Sequence, residues 1–374
     1  ILVLGGILMT AIALTYVTPG GGIVEGLTHV YNTVPERFSM ILEKGEIITP
    51  DGRDAYFDLP GIAVLIGGMW IANTYYWGFN QYIIQRTFAA KSLEEAQKGI
   101  AFAAFLKLII PIFVVLPGII AYVINLNPET GELIKVLPDG FMSSDGKILN
   151  DNAAPWLIKN YIPVGIKGLI LAALAAAIVS SLASMLNSTS TIFTMDIYKE
   201  YINKNASDKS LVKVGRIVVI ISLFIAMLIA PAFGNLGQVF QAIQEYTGVV
   251  SPGILAVFIM GLFYKKATNN AAIWGILLSI PIAMYFKVVP KGWIELFPLF
   301  SQGLFIEEIP FLHQMGITFL ITIVVIYTIS FLEGNQNDPK GINLSSKLFE
   351  TKPSFNIPAF AVLIITAMLY AIFW

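Results

Sequence analysis

Residues 172–188 read Ala-Ala-Leu-Ala-Ala-Ala-Ile-Val-Ser-Ser-Leu-Ala-Ser-Met-Leu-Asn-Ser, and these residue types bound the chemistry they allow. Small side chains let a neighbouring helix approach closely. Ser180, Ser181, Ser184, Asn187 and Ser188 add a neutral polar stripe, which inside a membrane must face protein or a water-filled path. Such a stripe suits a hard cation that takes oxygen ligands. Ser180 and Ser181 are consecutive, so their hydroxyls diverge by about 100°. Both still reach an ion lying over the groove between them, and the Ala177 carbonyl has a spare lone pair on that side. Three neutral oxygens fall short of a sodium ion's needs, so further ligands must come from elsewhere, such as an unwound helix with exposed carbonyls. The alternative is serine hydroxyls bonded back to the carbonyl four residues earlier.

Three other places carry polar groups in apolar surroundings. Asn73, Tyr76 and Asn80 repeat at i, i+3 and i+7 within 61–88 and would share one helix face. An aromatic ring beside amides can hold a sugar, the ring stacking and the amides bonding hydroxyls; helix packing with amides as glue is the alternative. Lys107 sits in Ala103-Ala-Phe-Leu-Lys-Leu-Ile-Ile-Pro111, roughly 13 Å inside its helix by the helical rise. An intramembrane lysine marks a functional site or a structural ion pair. Phe240 and Gln244 are i, i+4 neighbours, so Gln244 is placed to bond a hydroxyl-rich ligand and Phe240 to cap it. Gln241 and Glu245 beside them read as a polar contact between helices, and Pro252-Gly253 as a kink.

The elements that must position these residues are membrane-spanning. Of 374 residues 56% are hydrophobic and 13% charged, with mean hydropathy +0.75, against about 25% charged in soluble domains. Nine helical segments follow, about 1–16, 61–88, 98–124, 165–197, 210–233, 236–264, 271–289, 312–332 and 357–374. Basic residues fix the orientation: Arg86, Lys91 and Lys98, then Lys199 to Arg216, then Lys265 and Lys266, then Lys340, Lys347 and Lys352 all fall on one side, the cytoplasmic one. Loops 17–60, 125–164 and 290–311 lie opposite, the first bearing seven acidic residues from Glu25 to Asp58. The chain opens inside an apolar run with no initiator Met and no charged leader, and reads as part of a longer protein.

Several functions are excluded or disfavoured. A net charge of −1 gives no bulk attraction to nucleic acid. Absence of cysteine removes disulfides and thiolate metal sites. Asp139, Asp145 and Asp151 miss the EF-hand spacing, and Pro50-Asp51-Gly52 and Pro138-Asp139-Gly140 read as solvated turns. Gly20–Gly22 follows no strand and lacks the Lys-Ser/Thr of a phosphate loop. His29 and His313 sit near loops, and no nucleophile–base set appears, so the chain does not read as an enzyme.

The serine helix with Asp196-Ile-Tyr-Lys-Glu-Tyr, the stretch Asn73-Thr-Tyr-Tyr-Trp-Gly-Phe-Asn-Gln-Tyr-Ile-Ile-Gln-Arg-Thr-Phe-Ala-Ala-Lys-Ser, Glu95-Ala-Gln-Lys-Gly and Ile243-Gln-Glu-Tyr-Thr-Gly together resemble the sodium:solute symporter family. The likeness covers 61–264 and weakens toward the C-terminus. It implies an all-α polytopic fold: the second half of a five-plus-five inverted-repeat core, of the amino-acid/sodium symporter type, with peripheral C-terminal helices. Residues 1–16 would end the fifth core helix, 17–60 form an extracytoplasmic loop, 61–264 hold core helices six to ten, and 271–374 be peripheral. The resemblance implies that Tyr76 stacks under a sugar as inner gate, that Asn73, Lys107 and Gln244 bond its hydroxyls, and that Phe240 belongs to the outer gate. It assigns sodium to the Ala177 carbonyl with Ser180 and Ser181, the remaining ligands coming from helices outside this chain. Departures are Lys266-x4-Ala271-Ala272 where the family has Lys-x4-Gly-Ala, and Asn80 where some sugar-transporting relatives have Asp.

The implied activity is sodium-coupled uptake of a neutral monosaccharide, galactose or glucose, by alternating access in the cytoplasmic membrane of a bacterium. Its partners would be sodium, the sugar and the lipid bilayer, with no nucleic acid; a homo-oligomer stays open. The rival readings are a symporter for sialic acid, proline or another small solute, with Lys107 serving a carboxylate, and a sodium-conducting channel or sensor on the same scaffold.

Overall fold

The computed structural model describes residues 2–49, 52–127, 129–131, 149–235, 238–288, 308–334, 337, 341–342, 344–345 and 349–374. Pro50, Asp51, Pro138, Asp139, Gly140, Asp145, Lys340 and Lys347 lie outside them. The fold is all-α: among the described residues the only β feature is an isolated bridge between Ile48 and Asp54. The helices are α1 (Leu2–Thr15), α2 (Ile23–Thr33), α3 (Ala63–Ile66), α4 (Gly68–Thr74), α5 (Gln81–Phe88), α6 (Leu93–Val114), α7 (Leu116–Ile124), α8 (Ala153–Tyr161), α9 (Val164–Ile192), α10 (Asp208–Ile229), α11 (Val239–Phe263), α12 (Asn269–Val288), α13 (Phe311–Leu332) and α14 (Pro353–Ile372). Among the described residues seven stretches are long and apolar enough to cross a membrane: α6 with α7, α9 with the turn after it, α10 with the turn after it, and α11 to α14.

The expected segments are refined in four places. The helix expected from residue 98 starts at Leu93, because Ser92 caps it, its hydroxyl accepting from the Glu95 N–H at 3.2 Å. The helix expected over 61–88 is broken: α3 and α4 meet at Gly67, Tyr75–Phe79 is a π-helical turn, and Asn80 is extended before α5. Asn80 therefore does not share a helix face with Asn73 and Tyr76, since the wider turn shifts the register and the helix stops there. The helix expected to end at 197 is α to Ile192 and π-helical from Phe193 to Ile202. Finally, two expected loops contain helices, α2 and α8. Glu25 fixes the start of α2 by accepting from the Gly22 N–H at 3.0 Å.

Two units pack, each with its own cores. One comprises 1–38, 81–239 and 357–369. Its centre is Ala13, Leu14, Val30, Ile120, Trp156 and Leu157, where α1, α2, α7 and α8 converge. The other comprises 39–80, 240–356 and 370–374. In it α4 lies so close to α13 that a β-carbon at Gly68 would overlap the Leu312 carbonyl, and Ile71, Leu255, Leu312 and Met315 fill the contact. α12 and α13 pair through small and hydroxyl-bearing residues, Gly275 against Ile326, with Ser279, Thr318, Thr322 and Ser330 buried.

Candidate functional site

In the second unit, Asn73 and Tyr76, expected at a sugar site, sit where helix geometry is irregular. Asn73 lies in the last turn of α4, half-buried, its Nδ2 donating to the Met69 carbonyl at 3.1 Å. Tyr76 lies inside the π turn, half-buried, with its ring edge-to-face on Trp77 at 5.1 Å and 81°. A π turn holds one more residue than an α turn, so it re-aims side chains within an otherwise helical segment. Phe79, at its end, stacks on Phe258 of α11 at 4.8 Å. α11 runs continuously through Pro252. Near its start Phe240 is exposed and Gln244, one turn on, is half-buried.

The expected contact at Gln241 and Glu245 is present and has an owner. Gln241 Nε2 donates to Glu245 Oε1 at 3.4 Å, and Lys287 Nζ of α12 lies 3.3 Å from Glu245 Oε2 and 4.0 Å from the centre of the Tyr246 ring. Beside this pair is a small cavity of about 20 Å³ whose lining includes Arg53, Lys287, Glu308 and Gln314. Arg53 meets Asp58 at 2.9 Å and Glu308 at 3.7 Å. Burial pushes the Asp58 carboxyl above its ordinary value; Arg53 opposes the shift, while the Glu245 and Glu308 charges add to it. This charged cluster was not legible in the sequence: its members lie in four separate segments, and only Glu245 sat near a residue with an obvious role.

The other unit holds Lys107, Ala177, Ser180 and Ser181. Lys107 is exposed on α6. Since α6 begins at Leu93, Lys107 is roughly 21 Å along it rather than 13. The polar stripe of α9 divides. Its Ser184 and Asn187 serve packing: Gln85 Nε2 of α5 donates to the Ser184 carbonyl at 3.2 Å, Asn187 Nδ2 donates to Gln85 Oε1 at 3.0 Å, and Arg86 donates to the Ser184 hydroxyl. Ser184 also bonds back to the Ser180 carbonyl at 3.1 Å, as do Thr189, Thr191 and Thr194 to their own preceding turns. Ser180 and Ser181 are exposed, Ala177 half-buried, and neither serine hydroxyl makes such a back-bond among the described residues. Asp151, expected in a solvated turn, accepts from the Val239 N–H at 2.7 Å.

Residues 1–279 match the family model described as the sodium:solute symporter family. The chain is 52% identical, over its whole length and 64% of the relative's, to the sodium/glucose cotransporter of Vibrio parahaemolyticus. It is 33% identical to the human sodium/myo-inositol cotransporter 2 over 73% of this chain and 41% of that one. Thus it spans under two-thirds of the length of these relatives. A solved structure of a Na+-coupled sialic acid symporter, substrate-bound and outward-open, superposes with a TM-score of 0.60, covering 88% of this chain and 60% of the other at 23% identity.

Proposed function

The chain belongs to the sodium:solute symporter family, and on that premise we propose that it forms part of a secondary active transporter that couples inward sodium movement to uptake of a neutral monosaccharide, galactose or glucose. The observation that carries this reading is the match of this whole chain to 64% of a relative named as a sodium/glucose cotransporter. The residue chemistry agrees. Asn73, Gln244 and Lys107 offer donors and acceptors for sugar hydroxyls, and Tyr76 offers a ring to stack beneath one. That Tyr76 sits in a π turn supports its role as inner gate, because such turns recur at functional sites. Exposed Phe240 is the corresponding outer-gate residue.

Sodium is the cargo that drives the cycle. Ala177, Ser180 and Ser181 supply three neutral oxygens, and neither serine hydroxyl back-bonds among the described residues, which leaves both available to an ion. Its other ligands would come from parts of the full-length transporter beyond these three residues. In the same reading α1 ends the fifth core helix, 61–264 holds core helices six to ten, and 271–374 is peripheral. The bacterial relative supports a cytoplasmic-membrane location. One sodium crossing 100 mV releases about 2.3 kcal/mol, and a tenfold gradient adds about 1.4 kcal/mol. Together these sustain roughly a 500-fold sugar gradient at one-to-one coupling.

The test is labelled galactose uptake into proteoliposomes holding the complete transporter, with an inward sodium gradient and then with potassium. Sodium-dependent uptake competed by glucose is the expected result. Failure with every hexose, followed by sodium-dependent uptake of an acid or amino acid, would retain the coupling and replace the solute.

A further inference from the structure

The outer half of α11, which bears Phe240 and Gln244, is fastened to α12 at two points. At the inner one, a β-carbon at Gly253 would overlap the Ser279 hydroxyl, so the Ser279 side chain lies directly against the α11 backbone. At the outer one Glu245 meets Lys287. Glu245 lies eight residues before Gly253 and Lys287 eight residues after Ser279, a matched antiparallel register that spaces the two points by roughly 12 Å on each helix. Between them on α11 is Pro252, which has no N–H to give the Gly248 carbonyl and so weakens the helix there. Such a joint lets the outer half swing unless something beyond it is tied down.

We propose that the Glu245–Lys287 pair is that tie: a positioning clamp holding the outer half of α11 where Phe240 and Gln244 meet the solute. This rests on the solute site proposed above. Both side chains are only 17% exposed, so the attraction is poorly screened. Gln241 orients the carboxylate and the Tyr246 ring faces the ammonium, so the two charges are each held from a second side. The two charges meet each other at 3.3 Å. Each acts through the helix that carries Gln244.

Variants of the complete transporter in proteoliposomes test the clamp. Glu245→Gln and Lys287→Met should each raise the solute KM at least about fivefold, leaving Vmax per folded transporter and sodium half-activation within about twofold. The exchanged pair, Glu245→Lys with Lys287→Glu, should bring KM back to within about threefold of wild type. Unchanged KM in both single variants, or an exchanged pair no better than they are, overturns the clamp. Where a single variant does not fold, the exchanged pair decides: a KM near wild type upholds the clamp and a raised one overturns it. A nitroxide on Phe240→Cys, in a complete transporter with any cysteine outside this cysteine-free chain replaced, reads the same device without solute. Glu245→Gln should loosen the label and the exchanged pair restore it; an unaltered spectrum overturns the clamp. Wild type without sodium-driven hexose uptake would instead defeat the sugar reading, and the nitroxide comparison would still decide the clamp.

Discussion

Tyr76 and Ser181 divide the proposed cycle between solute and ion, so truncating them should fail in different ways. Tyr76→Ala removes about 2 kcal/mol of ring contact, about thirtyfold in solute affinity. Accumulation should fall to background in a protein that still folds; normal accumulation would remove Tyr76 from the gate. Ser181→Ala removes one neutral oxygen. It should raise the sodium concentration for half-activation about tenfold and leave solute KM at saturating sodium within about twofold; unchanged sodium activation would vacate the ion site. These residues were legible in the sequence because a polar group in an apolar helix is costly enough to need a reason. Their partners were not. Asn187 spends its amide on Gln85, 102 positions away, and no local pattern encodes that choice. Glu245 was read correctly as a helix–helix contact, but Lys287 had no feature to distinguish it from a basic residue at a helix end.

Helix existence followed from hydropathy, whereas helix ends and irregularities depended on hydrogen bonds that composition does not report. The Ser92-x-x-Glu95 cap was present in the sequence as a start signal, six residues ahead of the expected segment. α2 was missed because Gly22, which has no side chain to cap with, stands at its N-cap. The length of 61–88 and Gly78 left a break open there, but no residue type in either π turn marks the wider turn itself. Close packing makes its own prediction at this scale. Gly68→Ala would drive a methyl into the Leu312 carbonyl, an overpacking cost of about 3 kcal/mol. Gly99→Ala meets nothing within 4 Å and should stabilise α6 by about 0.5–1 kcal/mol. Thermal unfolding of both variants in one detergent checks the contrast; equal midpoints would contradict the backbone contact between α4 and α13.

For the whole molecule, composition was enough to give a polytopic all-α membrane protein, and the family match agrees. The charged cluster around Arg53 adds a pH dependence that composition hides. Asp58 is raised above its ordinary 3.8, so the folded protein holds that proton more tightly than the unfolded chain. Its contribution is therefore fullest below 3.8 and is lost as pH rises from there through the raised value. Relative to Asp58→Asn, the wild-type unfolding midpoint should fall across that window and run parallel above it; parallel curves throughout would remove Asp58 as the cause. Lys107 has a consequence of another kind, in biosynthesis. It is near the middle of Leu93–Ile124, whose most apolar 18 residues have mean hydropathy 2.5, long and apolar enough to cross a bilayer. An ammonium at the centre of a newly inserted helix costs about 3 kcal/mol. Water must follow it into the hydrocarbon until neighbouring helices arrive and displace that water. The lysine proposed to hold the solute thus also leaves its helix unsettled in lipid, and biases the nascent transporter toward completing its own assembly.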